Sequence, residues 1–400
     1  MKKLVKGLFV AVLFCAISAA VFAGGEQEAV TGVTEDEITI GTFQAMSGPV
    51  ASIGVPVANG LKAYFNHVNA NGGIYGRKIN LIIADDQFNP GKTTVEVKRL
   101  VESDGVFAMV AGLGTPGNLA VMDYLNESGV PFVYQASGSS RLAVPPKEFV
   151  FPVQPNYLVE GNVMVRYLAE EKKAKRIAIV YRNAEDGIEE YESVKNAIKL
   201  YDSKLVEAIA IDPTATDFAT EINKLNAAKP DAIIVMLFNP QTPPFVKQAK
   251  QYGITKPTFL LSYPNAAVTF MVLAEEAAED VECMSWVDVD FTDADFEPFQ
   301  IYAETHGEGE IPNAFAVAGM VAAELFVEAL NVAGPTLTRD SLVKALESFK
   351  DWNGALGKGI SYKTYNEADN TCRLGKQSMY VLKVKEGVWV RHADWIYYAD

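Results

Sequence analysis

The sequence predicts an α/β protein of two successive doubly wound parallel sheets, and three observations carry that expectation. Strand-like and helix-like segments alternate almost without a break from residue 37 to 276, the pattern that lays helices on both faces of a parallel sheet. Roughly eight strands in that run are too many for one small sheet with a single ligand edge, and the stretch 150–157, after Pro145-Pro146, marks the break. Beyond residue 280 the chain carries both helices and strands, as suits a tail that crosses back between domains.

Residues 37–46 (EITIGTFQAM) form the first strand and end in the turn Ser47-Gly48-Pro49. Residues 52–70 are an amphipathic helix with apolar Val55, Val57, Leu61, Tyr64 and Val68, stopped by Asn71-Gly72-Gly73. The strand 79–84 leads into Asp85-Asp86. Paired carboxylates suit acid–base work, but no histidine or nucleophile accompanies them, which favours a solvated or hinge-side pair. Asn89-Pro90 opens a helix to residue 103. After the central stretch, 106–142, come a short strand at 149–152, a helix at 157–171 behind Asn156, and a basic turn at 172–175 that reads as solvated surface. Strands at 176–181, 205–211, 231–238 and 258–262 then alternate with helices, two of them at 217–228 and 266–276 and a third from Asn239-Pro240 to residue 252. Asn183 to Gly187 is the loop at the end of the first of these strands. The tail reads as a strand at 281–289, helices at 293–306, 314–332 and 338–349, and an antiparallel hairpin, 378–385 with 388–393, around Glu386-Gly387.

The central stretch is where a ligand is expected. It reads as a strand at 106–111, a glycine turn at 112–117, a helix at 118–128, a strand at 130–133 and a serine turn at 136–140. Two donor-rich turns at the carboxyl edge of an open sheet suit a small anionic group. Gly112, Gly114 and Gly117 also spell the dinucleotide fingerprint G-x-G-x-x-G. That motif belongs to the first strand–helix turn of a fold, and here two strands come earlier. Pro116 removes a donor where a pyrophosphate wants one, and the next strand runs into Gln135 and Ala136 with no ribose-binding carboxylate.

Composition narrows the function. Four hundred residues, 49% of them hydrophobic, support two cored domains. The formal charge of −15 opposes nucleic acid or an anionic membrane as partner. Residues 1–23 read as a secretory signal peptide, with Lys2, Lys3 and Lys6 ahead of an apolar run and Val21 and Ala23 placed for cleavage after Ala23. Cys15 sits in a weak lipid-attachment context because Phe14 is bulky. Cys283 and Cys372 are compatible with one disulfide or with two buried thiols. His67, His306 and His392 are scattered, so no transition-metal site is expected, and no cofactor is implied.

The export signal, AMSGPVASIG after the first strand, YFNHVNANGGIYGRKINLIIADD, GTPGNLA and ASGSSRL together resemble the substrate-binding proteins of ABC transporters. The likeness is to the leucine/isoleucine/valine-binding type of the periplasmic binding-protein superfamily, and it covers about residues 35–365. It implies the type I architecture: two Rossmann-like lobes joined by a three-crossing hinge and closing on a ligand. The lobes would be 34–155 plus 287–357 and 156–286 plus 358–400. The resemblance also implies that Thr115 and the turn Ala136, Ser137, Gly138 and Ser139 hold the ligand's carboxylate, and that Phe238, in DAIIVMLFNPQ, closes over it from the second lobe. Where relatives have Asp-Tyr-Gly this chain has Glu185-Asp186-Gly187, which places Asp186 in the site. Tyr263 stands where amino-acid binders use a glutamate for the ligand's ammonium, and Gly114 and Gln87-Phe88 stand where they have a disulfide.

The function expected is therefore non-enzymatic. A monomeric, periplasmic binding protein captures a small-molecule ligand, either a branched-chain or hydrophobic amino acid or a related organic acid, for the membrane permease of an ABC importer. A sensor or receptor ectodomain of the same fold is the competing class, although the sequence to Asp400 shows no membrane span after the leader. An enzyme would need a nucleophile–base pair or a metal, and these turns supply neither.

Overall fold

The computed structural model describes residues 30–238, 240–289, 293 and 295–398. The expected signal peptide and Cys15 lie outside the described residues. The first half builds β1 (Glu37–Gln44), α1 (Ala51–Ala70), β2 (Lys78–Asp85), α2 (Pro90–Glu102), β3 (Ala108–Leu113), α3 (Thr115–Glu127), β4 (Phe132–Ala136) and β5 (Val150–Phe151). These strands form a five-stranded sheet of order β2-β1-β3-β4-β5 with parallel pairing throughout. The alternating apolar positions serve two faces. Ile38, Ile40 and Val110 meet α1, while Phe43, Met109 and Phe132 meet Val97 and Leu100 of α2 and Val121 and Leu125 of α3.

The chain then makes α4 (Tyr157–Glu170), β6 (Arg176–Arg182), α5 (Glu185–Ala197), β7 (Lys204–Ile211), α6 (Ala219–Ala228), β8 (Ala232–Met236), α7 (Thr242–Gln251), β9 (Thr258–Leu261), α8 (Val268–Ala274) and β10 (Glu282–Ser285). The tail adds α9 (Glu297–His306), α10 (Ala314–Ala333), α11 (Arg339–Glu347), β11 (Ile360–Ser361), β12 (Gly375–Lys376), β13 (Ser378–Lys385) and β14 (Val388–Tyr397). The second sheet has the order β14-β13-β10-β9-β8-β6-β7, in which β13 runs antiparallel to both of its neighbours, β10 and β14, and the other pairs are parallel. The tail helix α10 returns to the first lobe and covers its sheet beside α1. The chain thus passes between the sheets three times: after β5, between β10 and α9, and between α11 and β13.

Several expected boundaries move. The glycine turn is shorter than 112–117, because Gly112 pairs within the sheet and α3 already begins at Thr115. Gly114 alone makes the turn, at φ +91°, and Pro116 in the first helical turn reinforces the early start. Glu185-Asp186-Gly187 is likewise the first turn of α5 and not a loop. The expected strand 281–289 is reduced to β10, since the chain leaves the sheet there to cross to the first lobe. Asp85-Asp86 is solvated only at Asp85, which is exposed and accepts from Ser47 Oγ at 2.6 Å; Asp86 is buried and accepts from Thr93 Oγ1 at 2.6 Å. Cys283 and Cys372 are separate buried thiols.

The first lobe depends on two helices in backbone contact. A Cβ on Gly60 would lie 1.9 Å from Ala316 O, and one on Gly319 would lie 2.2 Å from Val57 O. Gly60→Ala would favour an isolated helix by ~1 kcal/mol. Forcing α1 from α10 costs about 3 kcal/mol, so the variant is expected to be less stable in urea denaturation; an unchanged or raised midpoint would refute the close contact.

Candidate functional site

An open α/β sheet offers a crevice where its strand order reverses, because successive helices there leave to opposite faces. In the first sheet the reversal lies between β1 and β3. The carboxyl end of β3 carries Gly114 and Thr115, and β4 beside it runs into Ser137. Thr115 Oγ1 and Ser137 Oγ are 2.6 Å apart, so the two turns form one surface. Asn118 stitches that surface by donating to Gly112 O and Gly114 O, both at 2.9 Å. The ring of Phe88 packs under Gly114, where a Cβ would meet it at 2.2 Å, and so occupies the place of the absent disulfide. No described hydrogen bond uses the amide N–H of Thr115 or Gly138, which leaves both as donors for an anion.

In the second sheet the reversal lies between β6 and β8. The end of β6 carries Arg182, α5 starts with Asp186 in its first turn, and Phe238 follows β8. Arg182 Nη1 donates to Asp186 Oδ2 at 3.0 Å, and its guanidinium lies 4.7 Å from the centre of the Phe238 ring. Burial pushes the Asp186 carboxyl up, and the charge of Arg182 pulls it partly back. Asp186 thus has a cationic partner within its own lobe, and Phe238 is capped by that cation instead of presenting a bare apolar wall.

The two crevices face each other and touch. Glu189 of α5 accepts from Ser139 Oγ at 3.0 Å and from the Ser140 amide, and Arg141 pairs with Glu185. Ser139 is therefore committed to the contact between lobes. Ala136 O accepts from the Gly114 amide at 3.1 Å, and Gly138 O accepts from the Tyr157 amide at 2.6 Å. A Cβ on Gly138 would lie 2.5 Å from the Tyr157 ring. Tyr157 is buried, and its phenol is pushed up by that burial and by the charges of Asp186, Glu160 and Glu189. It is the residue against which both lobes gather. Tyr263 follows β9; its hydroxyl accepts from Gln154 Nε2 at 2.6 Å, and its amide donates to Glu160 Oε1 at 2.9 Å.

All eight expected residues thus lie at the facing strand ends. Tyr157, Arg182, Gln154 and Glu189 also stand here and were not expected. No motif marks them; the one signal is their place in the segments that border the expected loops, Arg182 as the last residue of β6, Glu189 in the second turn of α5, and Gln154 and Tyr157 where β5 gives way to α4.

The family model described as "Periplasmic binding protein" matches residues 37–388. The chain is 25% identical over 244 residues to the Leu/Ile/Val-binding protein of Escherichia coli (strain K12), a match spanning 61% of this chain and 66% of that relative, just under two thirds of its length. A branched-chain amino acid ABC transporter protein from Thermus thermophilus, solved with bound valine, superposes with a TM-score of 0.80 at 20% identity, over 91% of this chain and 97% of that one. A solute-binding protein from R. palustris in complex with benzoate gives a TM-score of 0.75 at 17% identity, over 89% and 96%.

Proposed function

The chain belongs to the periplasmic binding protein family, and from that premise we propose that it captures a small carboxylate-bearing ligand with an apolar body and delivers it to the permease of an ABC importer. In this reading the lobes are 34–155 with 287–357 and 156–286 with 358–400, the protein is an exported monomer released by cleavage after Ala23, and it catalyses no reaction. One observation supports the reading above the others. The donor-rich turns at Thr115 and Ser137 stand at the reversal point of one sheet and face Asp186, Arg182 and Phe238 at the reversal point of the other. Thr115, Ala136, Ser137 and Gly138 take the carboxylate, Phe238 and Tyr263 flank the body, and Ser139 serves closure. The valine and benzoate held by the two relatives differ in body but share a carboxylate, in keeping with this division.

The test is calorimetry on protein freed of ligand, with branched-chain and aromatic amino acids and their deaminated acids. Thr115→Val removes a hydroxyl that donates to the carboxylate and is expected to weaken every such ligand about 10–100-fold, the equivalent of ~1.5–3 kcal/mol. Small-angle scattering should give the same compact profile for the loaded protein as for the closed arrangement described above. A ligand without a carboxylate, identified by mass spectrometry of protein purified natively, would refute the reading.

A further inference from the structure

One acidic side chain in the second lobe has no structural reason to be where it is. Glu190 of α5 is fully buried, and neither carboxylate oxygen receives a hydrogen bond from the described residues. It lies one helical turn beyond Asp186 on the same buried face of the helix, next to Glu189, which reaches into the first lobe. Glu160 of α4 is a second fully buried acid here, but its oxygens are occupied, by Ser262 Oγ at 3.0 Å and the Tyr263 amide at 2.9 Å. An unpaired buried carboxylate is among the costliest groups a fold can hold. Such a group is expected where a ligand completes it.

We propose that Glu190 is the residue that accepts a cationic nitrogen of the ligand and so selects amine-bearing carboxylates over their deaminated counterparts. The inference rests on the capture of a carboxylate by Thr115 and Ser137. Asp186 is a poorer acceptor because Arg182 already neutralises it, and Tyr263 carries no charge. Burial, reinforced by the charges of Glu160 and Glu189, pushes the Glu190 carboxyl well above the usual carboxylate range. The other titratable group facing it is the phenol of Tyr263, and behind Glu160 lies the Cys283 thiol, both pushed up by burial. Capture is then an exchange. The carboxylic acid loses its proton to solvent, the resulting carboxylate pairs with the ligand's ammonium, and no other bond changes.

The experiment is calorimetry of the full-length mature protein with leucine, valine and phenylalanine against 4-methylpentanoate, 3-methylbutanoate and 3-phenylpropanoate. Buffers of different ionisation enthalpy count the protons released. Expected for the wild type are a preference of at least roughly 30-fold for one of the amino acids over its partner acid and release of up to one proton per ligand. Glu190→Gln should erase the preference and the proton release while leaving the deaminated acid within about threefold. Glu190→Leu, which removes the buried carboxyl outright, should do the same and melt no lower than the wild type, since no hydrogen bond is lost. Equal affinity for both members of every pair, or a preference that survives Glu190→Gln, overturns the inference and leaves carboxylate capture standing. Failure of all six ligands to bind overturns carboxylate capture itself and this inference with it.

Discussion

Arg373→Met is expected to cost about 3–5 kcal/mol of folding stability, the range for removing one partner of a buried ion pair. Arg373 is fully buried in the third passage between the lobes. Its guanidinium donates to Glu347 Oε1 at 2.7 Å, Lys363 O at 2.7 Å, Glu148 O at 2.9 Å and Lys147 O at 3.2 Å, and it stacks 4.3 Å from the centre of the Phe151 ring. Methionine keeps the volume but leaves the Glu347 carboxylate short of its cation and three carbonyls without a donor. Chemical denaturation measures the loss. A change under ~1 kcal/mol would mean that water replaces the guanidinium and that the passage is not held by it.

The second large effect depends on pH. Lys376, on β12, is buried within the same passage. Its amide donates to Val153 O at 3.0 Å on the first passage, its ammonium donates to Lys358 O, and it lies 3.9 Å from the centre of the Trp395 ring. Burial lowers its pKa to about 7, although Asp288 and Asp351 pull upward. The unfolded chain keeps the ordinary lysine value of 10.5, so between pH 7 and 10.5 unfolding takes up a proton and stability rises with pH. Below pH 7 the folded lysine is charged and its burial penalty is felt in full, on the order of 5 kcal/mol. Lys376→Met removes that penalty. It should therefore stabilise the protein most at pH 6, and the gain should shrink by about 3 kcal/mol by pH 9.5. A gain independent of pH would show that the ammonium is not what burial opposes.

The strand ends were legible in the sequence because a buried parallel strand leaves an apolar run, and because the turn after it needs glycine or a hydroxyl. That pattern is enough to put the segments of Thr115, Ser137 and Phe238 at the carboxyl edges of the sheets, while their assignment to a ligand came from the resemblance, and Thr115 lies in the first turn of α3 and Phe238 just past β8. What one turn would do to the next was not legible. Gly112 and Gly117 read as turn residues, but the first lies in β3 and the second in α3, so both serve close packing against Phe43 and Thr93. Asp186 read as a charge free to meet a ligand, since nothing in the sequence says that Arg182, four residues earlier and on the strand, folds back to it. Glu189 and Glu190 are adjacent acids in a polar helix, yet one reaches across to the other lobe and the other is buried within its own. Helical spacing separates them by about 100°, but only the packing of α5 on α4 decides which one faces inward.

Glu189 holds Ser139 Oγ and the Ser140 amide across the mouth, and Arg141 holds Glu185 beside them. These bonds belong to the protein alone, so they favour the shut arrangement whatever the cargo. A ligand then supplies only the remainder of the free energy of shutting, and its observed affinity rises with the share of molecules already able to shut. The same latch resists reopening, so release of cargo depends on breaking it as well as on letting the ligand go.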